Sequence, residues 1–183
     1  GDLAEMFQGV REGMGLGNGV KGERVQKIIA AFYADLAWVH DGRDAAVRAV
    51  EDEVGESVVM VRPAVEALER GAELEIETIR RAFIGKLSAE LTPEQIVQVK
   101  DGLTYGVVPI TLAAYRKMLP EMTPEESRQL EAWLVEAREY AMIAGSSHAK
   151  HGWFGKYKGK ITNYLSRRGY DLKKAEQRLF RDD

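Results

Sequence analysis

Twice in this chain a threonine and a proline are followed by a side chain that can reach back one turn. The two stretches are Thr92-Pro93-Glu94-Gln95 and Thr123-Pro124-Glu125-Glu126. In each, the hydroxyl can accept from an orphan N–H of a nascent helix, and the Gln or Glu can accept from the N–H of the capping residue. Proline sits where no N–H is needed. These boxes fix two helix starts, and the apolar pattern elsewhere agrees with them. Val25, Ile28, Ile29, Phe32, Leu36 and Val39 mark one helix face. After an interruption predicted at Asp41-Gly42, Ala46, Val47, Val50 and Val54 continue it. Val65, Leu68, Ala72, Ile76, Ile79, Phe83 and Leu87 form a second long face, and Leu130, Leu134, Ala137 and Ala141 a third. The β-branched run Val58 to Val61 is followed by Pro63 and has no similar run to pair with, which argues against a strand. A break is expected at Asp101-Gly102 with helix resuming near Val107. A later helix should run from about Trp153 to Arg168 with Gly169 as its cap, and Asp171 should start a short last one. The expectation is an all-α fold: a single domain over 23–183, an irregular bundle of five to seven helices, behind a glycine-rich arm at 1–22.

That arm carries six glycines between Gly9 and Gly22, but it lacks the Lys-Ser/Thr ending of a phosphate loop and no apolar strand precedes it. The chain has no cysteine, which excludes disulfides, thiol catalysis and thiolate metal sites. No apolar run approaches the roughly 20 residues of a membrane span. The first residues, Gly1-Asp2, read as a processed or cloned start, which leaves a removed leader open. His148 and His151 stand three apart without a third ligand at a favourable spacing, so neither metal nor cofactor is expected.

Chemistry concentrates between Ser146 and Asp171. Lys150, Lys156, Lys158, Lys160, Arg167 and Arg168 lie there with no acid before Asp171, interleaved with rings. Cations beside flat rings suit a polar, partly anionic ligand. The ligand-binding candidates are Trp153, Tyr157, Lys156, Lys160, Asn163, Tyr164, His151 and His148, with Trp153 and Tyr157 one turn apart as a stacking platform. Burial of the same rings as core anchors is the competing reading. A second polar cluster comprises His40, Asp41, Arg43 and Asp44, with Tyr105 as a further member; its carboxylates could act as acid and base on a glycosidic bond. Helix capping explains those carboxylates equally well.

Several segments together resemble a known family. They are Leu91 to Gln95, Asp101 to Gly106, Glu136 to Glu139, Gly145 to Ser147, and His151-Gly152-Trp153-Phe154-Gly155-Lys156-Tyr157-Lys158-Gly159-Lys160-Ile161-Thr162-Asn163-Tyr164-Leu165. His40-Asp41-Gly42-Arg43-Asp44 also resembles the N-terminal helix-break motif of that family. The family is a domain-of-unknown-function family, number 3826 of its series, of secreted sugar-binding proteins from polysaccharide-degrading bacteria. The resemblance spans about Lys27 to Leu172 and leaves the glycine-rich arm unmatched. It implies export to the periplasm or beyond, and a carbohydrate partner, without naming a catalytic residue. One reading is thus a carbohydrate-binding protein that grips polar or acidic glycans through the basic-aromatic segment. Another is an enzyme on an acidic glycan, using His40, Asp41 and Asp44 with His148 and His151. A third is a periplasmic helical chaperone-like protein. Nucleic acid is the least favoured partner, given a formal net charge of -3.

Overall fold

Both threonine boxes close as their spacing requires. In a computed structural model of the chain, the Gln95 N–H donates to Thr92 Oγ1 at 3.2 Å and the Thr92 N–H to Gln95 Oε1 at 3.0 Å. The Glu126 N–H donates to Thr123 Oγ1 at 3.1 Å and the Thr123 N–H to Glu126 Oε1 at 2.9 Å. The structure describes residues 8, 10, 12, 14, 15, 19–54 and 58–181. The fold is all-α: the helices are α1 (Val20–Val54), α2 (Val58–Glu90), α3 (Pro93–Leu103), α4 (Val107–Met118), α5 (Pro124–Met142), α6 (Ser147–Arg167) and α7 (Leu172–Arg181), with no strand among the described residues. None of these helices is long and apolar enough to cross a membrane. Most of the expected glycine-rich arm lies outside the described residues, but residues 20–22 already belong to α1.

Chain contacts divide the protein into two units, Gly1–Ile96 and Val97–Asp183. The first is an antiparallel pair of α1 and α2. Val25, Ile29, Phe32, Leu36 and Val39 meet Ala72, Ile76, Phe83 and Leu87, all buried. Phe32 stacks on Phe83 at 3.9 Å, and Arg24 holds Glu90 through two 2.9 Å hydrogen bonds at the open end. Two local expectations yield to this packing. The break at Asp41-Gly42 does not occur, because α1 runs unbroken through it. A helical glycine costs only about 1 kcal/mol, less than a continuous apolar seam on both sides of it returns. Val58 to Val61 form the first turn of α2, and Pro63 is accommodated close to its start.

The second unit is built on α5 packed against α6, with α4 and α7 closing the core. Leu112, Leu119, Leu130, Leu134, Phe154, Ile161 and Leu165 are among its buried side chains. α6 begins at Ser147, earlier than expected, because Ser146 is its cap: its hydroxyl accepts from the Ala149 N–H at 3.1 Å. It ends where expected. Gly169 takes a φ of 95°, with Tyr170 N–H bonding Leu165 O and Gly169 N–H bonding Ser166 O, both at 3.1 Å. Asp171 caps α7 through the Lys174 N–H. The second box has a further use. Glu126 is buried and also accepts from Tyr170 Oη at 2.6 Å and Arg168 Nε at 2.9 Å. Tyr170 above all, then the Thr123 N–H, holds its carboxyl down at about 2, while the same bond pushes Tyr170 up to about 12. One side chain therefore ties the start of α5 to the end of α6.

Candidate binding surface on helix α6

Helix α6 turns two different faces outward and inward. Lys150, Phe154, Tyr157, Ile161 and Leu165, at three- and four-residue steps, point into the unit. Lys156, Lys158, Lys160, Asn163 and Arg167 are exposed, as are His148 and His151. Two expectations are corrected here. Tyr157 is only 5 % exposed and part of the core, so it cannot form a surface platform with Trp153. Its neighbours one turn away are Phe154 and Ile161, and the apolar stripe carries it inward. Lys150, read from sequence as one of the outward cations, is also 5 % exposed. Its ammonium donates to Leu103 O at 3.2 Å, at the C-terminus of α3, where carbonyls lack helical partners and the helix dipole favours a cation. Burial pulls this amine down to about 8.

The rings form a ladder along the α5–α6 seam. Trp153, half-buried, stacks on Tyr140 of α5 at 4.4 Å and 14°, with Lys156 Nζ 5.2 Å from its centroid. Lys160 Nζ lies 5.1 Å from Tyr157 and 5.7 Å from Trp133. Trp133 meets Tyr164 edge-on at 5.3 Å, and Arg168 reaches over Tyr164 at 6.0 Å. The sequence reading missed Trp133 and Tyr140. Their spacing of seven residues, which repeats one helix face, was the available signal.

Beyond the ladder, the outward face of α6 is stripped of both acids and bulk. Gly152, Gly155 and Gly159 are exposed, and a Cβ at any of them would meet open space. Lys156, Lys160, Asn163 and Arg167 line one side of these glycines by helical phase, and His151 and Lys158 the other. Among the described residues Lys156, Lys158, Lys160 and Arg167 have no ion-pair partner, whereas Arg62, Arg80 and Arg81 of α2 each find a glutamate on their own helix.

A second group gathers where the α3–α4 turn meets α5 and α6. Arg138, buried, holds Asp101 at 2.7 Å, and Lys100 holds Glu139 at 2.6 Å. Tyr105 stacks on His151 at 4.9 Å and 11°, from a backbone with φ of 60°. A tyrosine in that left-handed region is strained. The remaining candidates belong to the first unit. His40 is half-buried, Asp41 is exposed, and Arg43 pairs with the adjacent Asp44 at 2.9 Å, all on α1. Tyr105, grouped with them in the sequence reading, belongs to the second unit, beside His151. Among the described residues no three metal-ligating side chains converge.

The blocks that carried the family resemblance meet in this second unit: Asp101 to Gly106, Arg138 to Glu139, and the run around His151. No curated protein matches the chain. The profile of the family described as "Protein of unknown function (DUF3826)" matches residues 8–181, taking in much of the glycine-rich stretch that the resemblance had left aside, and the chain belongs to that family.

Proposed function

We propose that this protein binds an acidic polysaccharide along the outward face of α6, in the secreted or periplasmic setting that its resemblance implies. The observation that carries this reading is the composition of that face. Over 21 residues α6 has no acid, its outer cations are unpaired, and three glycines bring the helix backbone to the surface between them. A solvated face normally intersperses acids for i,i+4 pairs. A polyanion supplies the missing charge from outside, and its hydroxyls find Asn163, His148 and His151 alongside. The rings argue against a single-stranded nucleic acid, whose bases need free ring faces. Trp153 is stacked on Tyr140, and Trp133 is covered by Tyr164 and Lys160, so free ring faces for base stacking are scarce.

Affinity electrophoresis through gels containing polygalacturonate, neutral glucan or single-stranded DNA tests the reading. Polygalacturonate should retard the protein, less so as salt rises, because screening weakens attraction between exposed charges. Joint replacement of Lys156, Lys160 and Arg167 by Gln should remove the retardation without changing the helical circular dichroism signal. Retardation by DNA alone, or none by polygalacturonate, would overturn the reading.

A further inference from the structure

The second unit is hollowed beside α7. A cavity of about 500 Å³ opens between the α4–α5 loop, the α6–α7 turn and α7, within the roughly 300–1,000 Å³ of small-molecule sites. Buried Leu119 and the half-buried ring of Tyr170 give it apolar walls. One wall is fixed in advance. Glu126 accepts from both Arg168 and Tyr170, which clamps the turn that carries Gly169, Tyr170 and Asp171. A wall already ordered spares that cost when a ligand arrives.

From α7 the cavity is lined by Lys174, Gln177, Arg178 and Arg181. Helical phase places all four within about 100° of one another, on one polar face, while Glu176 lies about 200° around from Lys174 and outside it. Among the described residues these three cations have no ion-pair partner, whereas Arg116, Arg138 and Arg168 of the same unit each pair with a carboxylate. The helix dipole favours cations in the last turn, which accounts for Arg178 and Arg181 being basic. It does not account for Lys174, in the first turn where a cation is disfavoured, nor for the side that all three share. Glu121 and Asp171 face the cavity from the other elements, so three cations meet two carboxylates and one positive charge is left over.

The geometry points to a binding site for a single acidic sugar, a monoanion of hexuronate size, in this cavity. Its carboxylate meets the guanidinium of Arg178, whose fork suits two parallel hydrogen bonds, with Lys174 and Arg181 on either side. Its hydroxyls donate to Glu121 and Asp171, and its C–H face lies on the Tyr170 ring. A neutral sugar leaves the spare charge unanswered, and a phosphate dianion exceeds it. None of the lining residues belongs to the outward face of α6, so the inference stands without the polysaccharide reading.

Isothermal titration calorimetry of the full chain with galacturonate, galactose, acetate and glucose 6-phosphate tests it. Galacturonate should bind with a dissociation constant on the order of 1 mM. Galactose, which lacks the carboxylate, and acetate, which lacks the ring, should each bind at least about tenfold more weakly, and glucose 6-phosphate more weakly than galacturonate. Lys174→Gln and Arg178→Gln should each weaken galacturonate about tenfold, the scale of one charge-assisted hydrogen bond, with the helical signal unchanged because both positions are exposed. The joint Lys156, Lys160 and Arg167 variant should bind galacturonate like the wild type, which separates this cavity from α6. Galacturonate binding no tighter than galactose would overturn the proposal, as would an Arg178→Gln variant that binds normally or loss of binding in the α6 variant. Tighter binding of glucose 6-phosphate would overturn the choice of a monoanion.

Discussion

Replacing Lys150 by Met should change how stability responds to pH more than it changes stability itself. The amine is buried against Leu103 O, and burial lowers it from 10.5 to about 8. Between those values the unfolded chain holds a proton that the folded chain has released. Stability therefore rises with pH through this window, and below about 8 the fold carries a charged amine in a poorly solvated place. At about 1.36 kcal/mol per pH unit, the wild-type protein gains about 2–3 kcal/mol between pH 7 and pH 10 from this one group. The Met variant gains nothing from it. Met also leaves the Leu103 carbonyl without its ammonium, a loss of about 1–3 kcal/mol that is independent of pH. The two effects oppose each other at pH 7, and most of the amine's penalty has gone by pH 10, so the variant should fall behind the wild-type protein by about 2–3 kcal/mol between those two pH values. Urea midpoints for both proteins at pH 7, 8, 9 and 10 measure the difference, in which the titration of every tyrosine cancels. Parallel curves would show that Lys150 does not titrate in this range and would refute the reasoning.

Glu126 acts at the other end of the pH scale. Its carboxyl is held at about 2 against an ordinary 4.5, so the stability it provides is intact above 4.5 and fades as pH falls toward 2; Glu126→Gln should flatten that limb when midpoints at pH 5 and pH 3 are compared. Tyr157→Ala should cost about 3–5 kcal/mol as a buried aromatic, and Trp153→Ala, on a half-buried ring, distinctly less; equal losses in urea titrations would contradict the inward and outward assignment of α6. Gly155→Ala and Gly159→Ala should each stabilise the protein by about 0.5–1 kcal/mol, as exposed helical glycines do, while reducing retardation by polygalacturonate; a thermal melt and the same gels read both.

The helix inventory was legible because its signals are local. A hydroxyl three residues before Glu or Gln, and a glycine after an apolar stripe, specify their hydrogen bonds within one turn. Asp41-Gly42 misled because the same local signal can be overridden: in α1 the residues on both sides are held by α2, and one glycine cannot undo that seam. The site was legible in composition but not in phase. The acid-free run of α6 is plain in the sequence, yet which of its cations and rings turn inward depends on Phe154, Ile161 and Leu165 sharing a face with Tyr157 and Lys150. Tyr140 and Trp133 could not be assigned to Trp153 and Tyr164 without knowing that α5 packs beside α6. Lys150 was the least legible. A buried lysine is rare, and its partner is a backbone carbonyl that no sequence pattern announces.

The ladder of rings and the glycine face answer different questions about α6. The ladder is satisfied within the protein: each cation that lies over a ring has its ring supplied by α5 or by α6 itself. It fixes the helix against α5 and holds Lys156 and Lys160 at set positions, so these two ammonium groups lose less freedom when something binds. The glycines offer no such internal return. Three of them in an exposed helix interior cost about 1.5–3 kcal/mol relative to alanine, and no side chain of the unit fills the space they leave. A helix kept rigid on one side and bare on the other is poorly explained by folding alone. On the proposed reading, those glycines would let an extended, negatively charged chain lie close to the backbone between rows of positioned cations.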